Sequence, residues 1–317
     1  MKNPVIFDTD PGIDDAFAIH HALYHPEINL IGMTTVFGNV PVEIAAKNAK
    51  ILAEMAGQNI PVFQGASGPM VAPHKGFPDF IHGADGFGDI NLPAPKGAIE
   101  KTFAPQFIID EVRKQPGEVT IIAVGPLTNL ALAFRMDPGI APLVKQVIIM
   151  GGAAKEYGNI SAVAEANIFN DPHAADIVFR ADWPMVMAGL DVTHQVVLSR
   201  SEAEELAQKV PRIGGFLLEA ADLYFKFYNG AFGIDGCYFH DPCATAYYVN
   251  PDLFSSLDAA VRVSCEGPAI GQTLIKPAGH PGPSTEWDGC RNHKILMQIK
   301  GDAVKEEVLG TIAKYAD

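Results

Sequence analysis

Short apolar runs alternate with segments of helical periodicity along most of this 317-residue chain. Apolar runs of this length, punctuated by glycine and proline, are typical of buried strands. The strand–helix–strand order predicts an α/β fold with a largely parallel central sheet and helices on both faces. The predicted elements are Val5–Asp10, Asp14–Tyr24, Leu30–Val36, Val42–Met55, Val62–Gln64, Pro105–Lys114, Val119–Val124, Leu127–Phe134, Val147–Met150, Pro172–Phe179 and Met185–Ala188.

The C-terminal third departs from this order. A long helical pattern runs over Pro211–Tyr228 and is expected to break from Asn229 onward. After a shorter helix at Cys243–Val249, weak alternation predicts a small antiparallel C-terminal extension and a closing helix. Because neither a repeat nor a linker interrupts the pattern, we expect one domain over residues 1–317. The late elements are Ala260–Cys265, Gln272–Ile275, Lys294–Ile299 and Ala303–Tyr315.

Four carboxylates, those of Asp8, Asp10, Asp14 and Asp15, lie within eight positions between the first predicted strand and the first predicted helix. Two ionised carboxylates about 5 Å apart repel each other by about 3 kcal/mol at an effective dielectric constant of about 20. A bound cation relieves such repulsion, and oxygen ligands select Ca²⁺ or Mg²⁺. Strand-to-helix turns are also where open α/β sheets bind ligands. The alternative is a solvated acidic turn that caps the helix.

Polar groups recur where other predicted strands end. Asn39 follows the second strand, Val124 ends a later strand just before Gly125-Pro126, and Met150 ends the next one. The carboxyl ends of parallel strands share one edge, so these groups are expected to converge. The Val124 carbonyl, outside the strand ladder, is a candidate ligand for a hard cation. Taken singly, Asn39 is equally consistent with a turn residue, and the Val124 side chain with the core.

Two further groups of residues carry suitable chemistry. Asn159, Glu165 and Asn167 lie in an irregular segment and offer donors and acceptors suited to the vicinal hydroxyls of a sugar, although a solvated loop has the same composition. His240-Asp241 precedes a helix that begins at Pro242. We interpret Asp241 either as another carboxylate on the metal or as a helix N-cap. In the first case His240 is expected to have a pKa suited to proton donation.

The segment Ala66–Ala98 is rich in glycine and proline and is long for a connection without regular structure. Such loops are usually functional lids or disordered insertions. It contains His82, followed by Gly83 and Gly86, which are suited to act as hinges. We therefore interpret residues 66–98 as a mobile flap over the site rather than a plain surface loop.

Composition restricts the partners. The formal net charge of −14 argues against nucleic acid or an anionic membrane, because both bind basic surfaces. The four cysteines lack Cys-x-x-Cys spacing and are typical of reduced cytosolic thiols. Met1-Lys2-Asn3 leads directly into a strand, which leaves no room for a signal peptide, and no apolar run approaches membrane-spanning length. A cytoplasmic protein is expected, and the negative charge disfavours a polyphosphate substrate, whereas a neutral substrate is indifferent to it.

The string Asp8–Ala16 (DTDPGIDDA) closely resembles the signature of the inosine-uridine preferring nucleoside hydrolase family. With Thr34-Thr35-Val36, it looks most like the bacterial ribonucleoside hydrolases that accept both purine and pyrimidine nucleosides. Further matches follow in one linear order over nearly the whole chain, so a chance resemblance is excluded. They are Gly38-Asn39, His82-Gly83, Gly125-Pro126-Leu127-Thr128-Asn129, Ile149-Met150-Gly151-Gly152, Ala164-Glu165-Ala166-Asn167-Ile168 and His240-Asp241-Pro242.

The resemblance implies a Rossmann-like fold, a homotetramer or dimer, and Ca²⁺-dependent hydrolysis of the N-glycosidic bond of ribonucleosides to ribose and free base. It implies that Asp10 is the base that activates water, that His240 protonates the leaving base, and that His82 enters with the flap. The metal ligands would be Asp10, Asp15, Asp241 and the Val124 carbonyl. The ribose and pocket contacts would come from Asp14, Asn39, Met150, Asn159, Glu165 and Asn167.

Two departures leave the preferred base open. Ala166 stands where the family often has an aromatic residue, and Phe37 stands where a small residue is usual. Both were expected near the pocket.

Two rival interpretations also remain at this stage. A haloacid-dehalogenase-like phosphohydrolase also has Asp-x-Asp after an apolar strand, but it leaves the Asp14-Asp15 pair unexplained and requires a lysine motif that is missing here. A non-catalytic ribose- or nucleoside-binding protein would need neither Asp10 nor His240.

Overall fold

A computed structural model describes residues 2–71, 73–281 and 285–316 of the chain. Ala72, within the predicted flap, lies outside the described residues, as do both terminal residues of the predicted domain. The strands are β1 (Pro4–Thr9), β2 (Asn29–Thr35), β3 (Val62–Gln64), β4 (Thr120–Ala123), β5 (Gln146–Met150), β6 (Met185–Ala188), β7 (Val197–Leu198), β8 (Cys237–Tyr238), β9 (Phe254–Val263), β10 (Thr273–Pro277) and β11 (Asn292–Ile299).

The α-helices lie between and after these strands. They are α1 (Ile13–Tyr24), α2 (Val42–Met55), α3 (Asp79–His82), α4 (Ala104–Lys114), α5 (Thr128–Met136), α6 (Ala166–Asn170), α7 (Pro172–Arg180), α8 (Leu190–Thr193), α9 (Arg200–Lys209), α10 (Pro211–Phe232), α11 (Pro242–Val249) and α12 (Gly301–Tyr315).

One sheet of nine strands forms the centre, in the order β10-β9-β11-β6-β5-β4-β1-β2-β3. Strands β3, β2, β1, β4, β5 and β6 lie side by side in that order, and each neighbouring pair is parallel. Strand β11 pairs with β6, also in parallel. Strand β9 alone runs against its neighbours β10 and β11. The predicted antiparallel extension is therefore the continuation of the same sheet. The strand order reverses between β1 and β4, and such a switch point opens a crevice at the carboxyl ends of the strands.

Alternate residues of the central strands supply two separate cores. Val5 and Phe7 of β1 pack into one core with α1, α2, α10, α11 and α12, whereas Ile6 packs into the other with α4, α5 and α7. Side chains alternate across a strand, and a parallel sheet covered on both faces needs apolar residues at every position. That is why β1 is a continuous apolar run, and it confirms the predicted helices on both faces.

The largest departures from the sequence-based elements lie in the second half. Helix α10 continues past the expected break and ends at Phe232, where Gly233 adopts a left-handed conformation with φ of 67°. Glycine takes this cap position without strain, so the stop signal lies four residues beyond Asn229, where the break was expected. Strand β9 begins at Phe254, six residues earlier than predicted. The first half of β9 includes exposed serines, so its sequence pattern does not indicate a strand. It is a strand because it pairs with β11.

Among the residues that the structure describes, no helix combines the length and the apolar character needed to cross a bilayer.

Candidate active site

Three acidic side chains from opposite ends of the chain meet at the switch point of the sheet. Asp14 and Asp15 lie in the first turn of α1, and Asp241 immediately precedes α11. Within the described part of the chain, ligand oxygens of these three residues all lie within 4.8 Å of one another. Asp10, which directly follows β1, lies close enough for its charge to act on all three. The fold thus forms the acidic cluster Asp10, Asp14, Asp15 and Asp241.

Burial dominates the electrostatics of the acidic cluster. It raises the pKa of Asp14 to about 8, and the charge of Asp15 adds to the effect. Burial also raises the pKa of Asp10 and of Asp241 well above the usual range, reinforced by the neighbouring carboxylates. In Asp15 the same effect is opposed by hydrogen bonds from Thr9 and Gly12. Carboxylates this close and this buried are stable as anions only beside a positive charge.

Asp10 shows most directly that a cation fits. Its Oδ2 accepts a hydrogen bond of 2.7 Å from the Asn39 backbone amide. Its Oδ1 is buried, and among residues 2–71, 73–281 and 285–316 it has no hydrogen-bond partner. A Cβ atom at Gly38 would overlap Oδ2, and one at Gly125 would come within 2.6 Å of Oδ1. Both glycines therefore leave room for a carboxylate whose second oxygen is available to a hard cation.

The side chain of Asp15 caps the start of α1, as the alternative interpretation of the acidic turn predicted. Its Oδ2 accepts hydrogen bonds from the Gly12 amide at 2.9 Å and from Asn39 Nδ2 at 3.0 Å. Its Oδ1 accepts from the Thr9 hydroxyl at 2.5 Å. Asp15 therefore stabilises the start of α1 and also belongs to the acidic cluster. Asn39 connects Asp10 to Asp15, so it is more than a turn residue.

Asp241 occupies the position before α11, yet within the described chain its side chain makes no capping hydrogen bond. The N-cap interpretation is therefore wrong for its side chain, which joins the other carboxylates.

Asp8 is one of the four carboxylates between the first strand and the first helix, but its side chain has a different environment. Its Oδ1 accepts hydrogen bonds from Thr34 at 2.5 Å and from Asn129 at 2.8 Å. It ties β1 to β2 and α5.

The Val124 carbonyl lies at the end of β4 on the same rim. It accepts a hydrogen bond of 2.8 Å from Asn167 Nδ2, which also lies 3.2 Å from the Met150 carbonyl oxygen. Asn167 thus links the ends of β4 and β5. The carbonyl belongs to the cavity lining, together with Asp14 and Asp241.

Glu165 is held rigidly at the start of α6. Its Oε2 accepts hydrogen bonds from the amides of Gly152 at 2.9 Å and Ile168 at 3.0 Å, and its Oε1 accepts from the Asn167 amide at 2.8 Å. Burial raises the pKa of Glu165, while these amides oppose the shift. Asn159 is exposed, and its Oδ1 accepts from the Ala166 amide at 3.0 Å. Their remaining lone pairs and the Asn159 amide group are available to hydroxyl groups of a ligand.

His82 ends the short helix α3 within the predicted flap. It is 5% exposed, and its Nδ1 accepts a hydrogen bond of 3.2 Å from the Ile13 amide at the start of α1. Burial lowers its pKa to about 3. Its ring also lies against Tyr224, with 5.2 Å between the ring centroids. In this conformation the segment covers the site, and whether it opens stays a prediction.

His240 is enclosed rather than solvated. Its Nδ1 lies 2.8 Å from the Thr193 hydroxyl and its Nε2 lies 3.1 Å from the Tyr228 hydroxyl. Burial, helped by His194 and His82, lowers its pKa to about 3. The expected pKa suited to donation from an imidazolium is therefore wrong, because the enclosed ring is neutral at physiological pH.

A cavity of about 320 Å³ lies over the acidic cluster. Its lining divides into a polar floor and an aromatic wall. The floor and rim are formed by Asp14, Asn39, His82, Val124, Met150, Asn159, Glu165, Asn167, His240 and Asp241, all predicted from the sequence. The wall is formed mainly by Phe77, Phe80, Phe169, His194, Tyr224, Phe227, Tyr228, Phe232 and Tyr238. A cavity that combines polar groups with aromatic rings suits a ligand with a hydroxylated part and a flat part.

The sequence analysis did not identify this aromatic wall. Tyr224 and Tyr228 are one helical turn apart on α10 and 3.4 Å apart at their hydroxyls. Their i, i+4 spacing was a usable signal, but α10 was interpreted only as a helix. The short helix α8 follows β6, whose carboxyl end lies on the same rim. Thr193 is the last residue of α8, and His194 comes next. Phe37, expected near the pocket, packs with Val36 and Ala66 in a small buried cluster that contacts Phe77 of the aromatic wall. Phe37 therefore lies next to the cavity lining, and Ala166 is part of that lining.

Comparison with known proteins agrees with this geometry. The family model for inosine-uridine preferring nucleoside hydrolases matches residues 5–306. The chain is 41% identical to uridine nucleosidase 1 of Arabidopsis thaliana over 312 residues, which cover 98% of this chain and 93% of that one.

Solved structures resemble it as strongly. The plant nucleoside hydrolase PpNRh1 superposes with a TM-score of 0.96 at 38% identity and 99% coverage of both chains. A purine-preferring ribonucleoside hydrolase from Gardnerella vaginalis superposes with a TM-score of 0.92 at 34% identity, again with 99% coverage of both.

These matches confirm the family and the Rossmann-like fold that the sequence predicted. They set aside both the phosphohydrolase and the non-catalytic interpretation, since members of this family are hydrolases. The chain belongs to the inosine-uridine preferring nucleoside hydrolase family and acts as a hydrolase on the N-glycosyl bond of ribonucleosides.

Proposed function

We propose that the protein is a Ca²⁺-dependent ribonucleoside hydrolase that releases ribose and free base from purine and pyrimidine nucleosides for salvage. The observation that carries the proposal is the acidic cluster beneath a cavity that is lined by both polar side chains and aromatic rings. The cluster offers only oxygen ligands, and such a set favours Ca²⁺ or Mg²⁺ over softer ions.

Asp10, Asp15, Asp241 and the Val124 carbonyl are the proposed metal ligands. The orphan Oδ1 of Asp10 and the mutually raised pKa values of Asp10 and Asp241 support this assignment. When bound, the divalent cation supplies neutralising charge, a grip on two vicinal hydroxyls and a lower pKa for a nearby water molecule.

Water adds to C1′ of the ribose as the C1′–N bond breaks, and the bonding electrons leave with the base. Asp10 takes the proton of the water. The ribosyl group passes through an oxocarbenium-like state, as in related glycoside cleavages. The carboxylates of Asp10, Asp14 and Asp15 stabilise the positive charge that develops there.

The ribose hydroxyls are held by the rim. Asp14, Asn39 and Asn167 are proposed to bind the hydroxyls nearest the acidic cluster, with Asn159 and Glu165 at the outer end and Met150 against the ring. The fixed orientation of Glu165 and Asn167, each held by two or more hydrogen bonds, supports this role. A buried site built to bind hydroxyls rejects an analogue that lacks one, because its own polar groups are left unpaired.

The leaving base needs a proton as its bond to C1′ breaks. Because the imidazole of His240 is neutral, we assign its role to a hydrogen-bonded chain. His240 Nε2, the Tyr228 hydroxyl and the Tyr224 hydroxyl follow one another at 3.1 and 3.4 Å. A neutral imidazole passes a proton by donating at one nitrogen while it accepts at the other. His82, which contacts Tyr224, is placed beside this chain.

Acceptance of both base classes is supported by the cavity and by the relatives. The aromatic wall stacks on any flat base, because every base has a π face. The relatives include one named for uridine and another named as purine-preferring.

The chain is also proposed to be cytoplasmic, which its free thiols support. We further propose that it forms a homo-oligomer, a tetramer or a dimer, and that residues 66–98 act as its flap.

The test is a panel of ribonucleosides and matched deoxyribonucleosides, assayed for liberated reducing sugar with and without a chelator. We expect turnover of inosine and uridine, loss of activity in EDTA, full recovery with Ca²⁺, and strong rejection of 2′-deoxyribonucleosides. Activity that is indifferent to chelation would contradict the metal assignment. Equal turnover of ribose and deoxyribose substrates would contradict the assignment of the rim.

A further inference from the structure

A second cluster of ligand atoms lies at the other end of α1, remote from the cavity. His21 and His25 are one helical turn apart near the end of α1, and Glu307 faces them from α12. Among the described residues, one ligand atom from each of the three lies within 4.8 Å of the others. His25 Nε2 is 3.2 Å and His21 Nε2 is 3.7 Å from Glu307 Oε1. Residues at i and i+4 on a helix project side by side, so both imidazoles reach one point.

The hydrogen bonds of His21 leave one of its nitrogens aimed at this point. The Thr245 hydroxyl donates to the Pro242 carbonyl at 3.0 Å, so toward His21 Nδ1, 2.8 Å away, it acts as an acceptor. Nδ1 must therefore carry the ring proton, and in the neutral ring Nε2 keeps its lone pair.

This lone pair is buried and faces a carboxylate. The His21 side chain is fully buried, and within the described part of the chain its Nε2 has no hydrogen-bond partner. A lone pair opposite the Glu307 carboxylate is unfavourable unless a cation lies between them. A histidine that ligates a metal usually donates its other ring N–H to an oxygen acceptor that fixes its tautomer, and the Thr245 hydroxyl is such an acceptor for His21.

We propose that His21, His25 and Glu307 form a second metal site, which binds a divalent ion of the Zn²⁺ class. Two imidazole nitrogens and one carboxylate oxygen suit Zn²⁺ rather than Ca²⁺. Tetrahedral ligands at about 2.0–2.1 Å from Zn²⁺ lie about 3.3 Å apart, and the two measured separations from Glu307 are 3.2 and 3.7 Å. The fourth position faces solvent, since His25 and Glu307 are 10% and 25% exposed.

Metal binding replaces two hydrogen bonds of His25. Its Nδ1 accepts from the Glu27 amide at 3.0 Å on an exposed turn, so its ring proton now lies on Nε2, 3.2 Å from Glu307 Oε1. Ligation through Nε2 moves that proton to Nδ1, releases the Glu27 amide to water and exchanges the His25–Glu307 hydrogen bond for bonds to the ion. Both groups are partly exposed, and such hydrogen bonds add little to stability.

The site joins three helices of one core. Its ligands come from α1 and α12, and Thr245, which orients His21, belongs to α11. The N-terminal ends of the same two helices carry Asp14, Asp15 and Asp241, and in α11 Asp241 lies one helical turn before Thr245. The ion is therefore structural: it clamps the helices that present the acidic cluster, without contact with the cavity.

The test is a Zn²⁺ titration of the full chain in excess Ca²⁺, with bound zinc counted after gel filtration and Tm recorded alongside. We expect one Zn²⁺ per chain and a higher Tm. Co²⁺ should give the visible absorption bands of a tetrahedral nitrogen–oxygen site. His25→Ala and Glu307→Gln should lose both the bound ion and the Tm shift, while their Ca²⁺-dependent nucleoside hydrolysis remains. Thr245→Val should weaken binding by about 10- to 100-fold, as loss of an orienting partner does.

Two control variants make the outcome specific. His173→Gln removes a histidine remote from the cluster and should bind Zn²⁺ like the wild type. Asp241→Asn alters the acidic cluster and should also keep the zinc. Zinc that is lost in Asp241→Asn and kept in His25→Ala would place the ion in the active site and overturn the proposal. Failure of the wild type to bind Zn²⁺ would overturn it too, and would assign His21 and Glu307 to a proton-dependent ion pair. Neither result bears on the proposed hydrolase activity.

Discussion

The two ends of helix α1 differ in the chemistry that they collect. The N-terminal end brings Asp14 and Asp15 to Asp10 and Asp241, whereas the C-terminal end brings His21 and His25 to Glu307. This distribution agrees with the helix dipole, which favours carboxylates at the start of a helix and positive charge, here that of the proposed zinc ion, at its end. Both ends connect α1 to α11, through Asp241 at one and Thr245 at the other.

Each end holds a buried atom without a hydrogen-bond partner in the described chain, Asp10 Oδ1 at one and His21 Nε2 at the other. The acidic end lies beneath the cavity, whereas His21, His25 and Glu307 are not among the residues that line it. A buried cluster of titratable groups therefore does not identify an active site by itself. The cavity that brings a substrate to the cluster does.

The largest effect is expected from Asp10→Asn, which removes the base at the acidic end. The rate constant kcat should fall by about 10²- to 10⁴-fold, the usual contribution of one acid–base group, and by more if the metal is lost as well. The measurement is release of reducing sugar from inosine at saturating Ca²⁺.

Asp8→Asn is the matched control, because Asp8 lies two residues away and bonds Thr34 and Asn129 instead of the cluster. It should keep most of the activity, and so should His25→Ala at the histidine end. An equal loss of kcat in Asp10→Asn and His25→Ala would contradict the assignment of catalysis to the acidic end of α1.

An intermediate effect is expected from His240→Ala, which breaks the hydrogen-bonded chain beside the acidic end. Turnover of inosine should fall by about 10²- to 10⁴-fold. Turnover of a nitrophenyl riboside should change little, because its leaving group departs without a proton. Tyr228→Phe should show the same selectivity in weaker form, since only the hydroxyl 3.1 Å from His240 is removed. Equal losses on the two substrates would instead assign His240 to positioning of the ribose.

The smallest effect concerns His20, which lies beside the histidine end and outside its ligand set. Its side chain is fully buried and stacks on Tyr24 with 5.8 Å between the ring centroids. Burial, with the charge of Arg212, lowers its pKa to about 3. The folded pKa is then below the unfolded value of about 6.5, so the unfolded chain takes up more protons as the pH falls. Between these two values His20 removes about 1.4 kcal/mol of stability per pH unit.

His20→Leu should therefore lose less stability than the wild type on acidification from pH 7 to pH 5. Urea unfolding at both pH values, with Ca²⁺ held at one saturating concentration, measures the difference. His25→Ala is the comparison variant, since partial exposure weakens the effect of burial on the pKa of His25. If His20→Leu showed the same pH slope as the wild type, His20 would be shown to titrate normally in the folded protein.

Local sequence patterns were sufficient to predict much of the fold. The continuous apolar run of β1 predicted a strand buried on both faces, and Pro11-Gly12 marked the turn before α1. The convergence of polar groups at one rim also followed from the sequence, because parallel strands place their carboxyl ends together. Strand β9 could not be predicted in full, since its first half is held by pairing with β11.

The environment of each site residue was less predictable than its position. The expected proton-donating pKa of His240 failed because enclosure by Thr193 and Tyr228 depends on α8 and α10. Phe37 was expected near the pocket, and it reaches the lining through Phe77, from within a buried cluster. Burial and side-chain direction are set by the packing of distant elements, which a residue type does not encode.

The sequence alone determined the α/β class, the nucleoside hydrolase family and the residues of the polar rim, because strand periodicity and linear motifs are local properties. Only the tertiary structure decided that Asp241 joins the other carboxylates instead of capping α11, which aromatic rings form the wall, and that His21 turns a lone pair toward Glu307. The physical reason is that charge repulsion, desolvation and hydrogen-bond satisfaction depend on distances between side chains. Folding sets those distances for residues far apart in the chain.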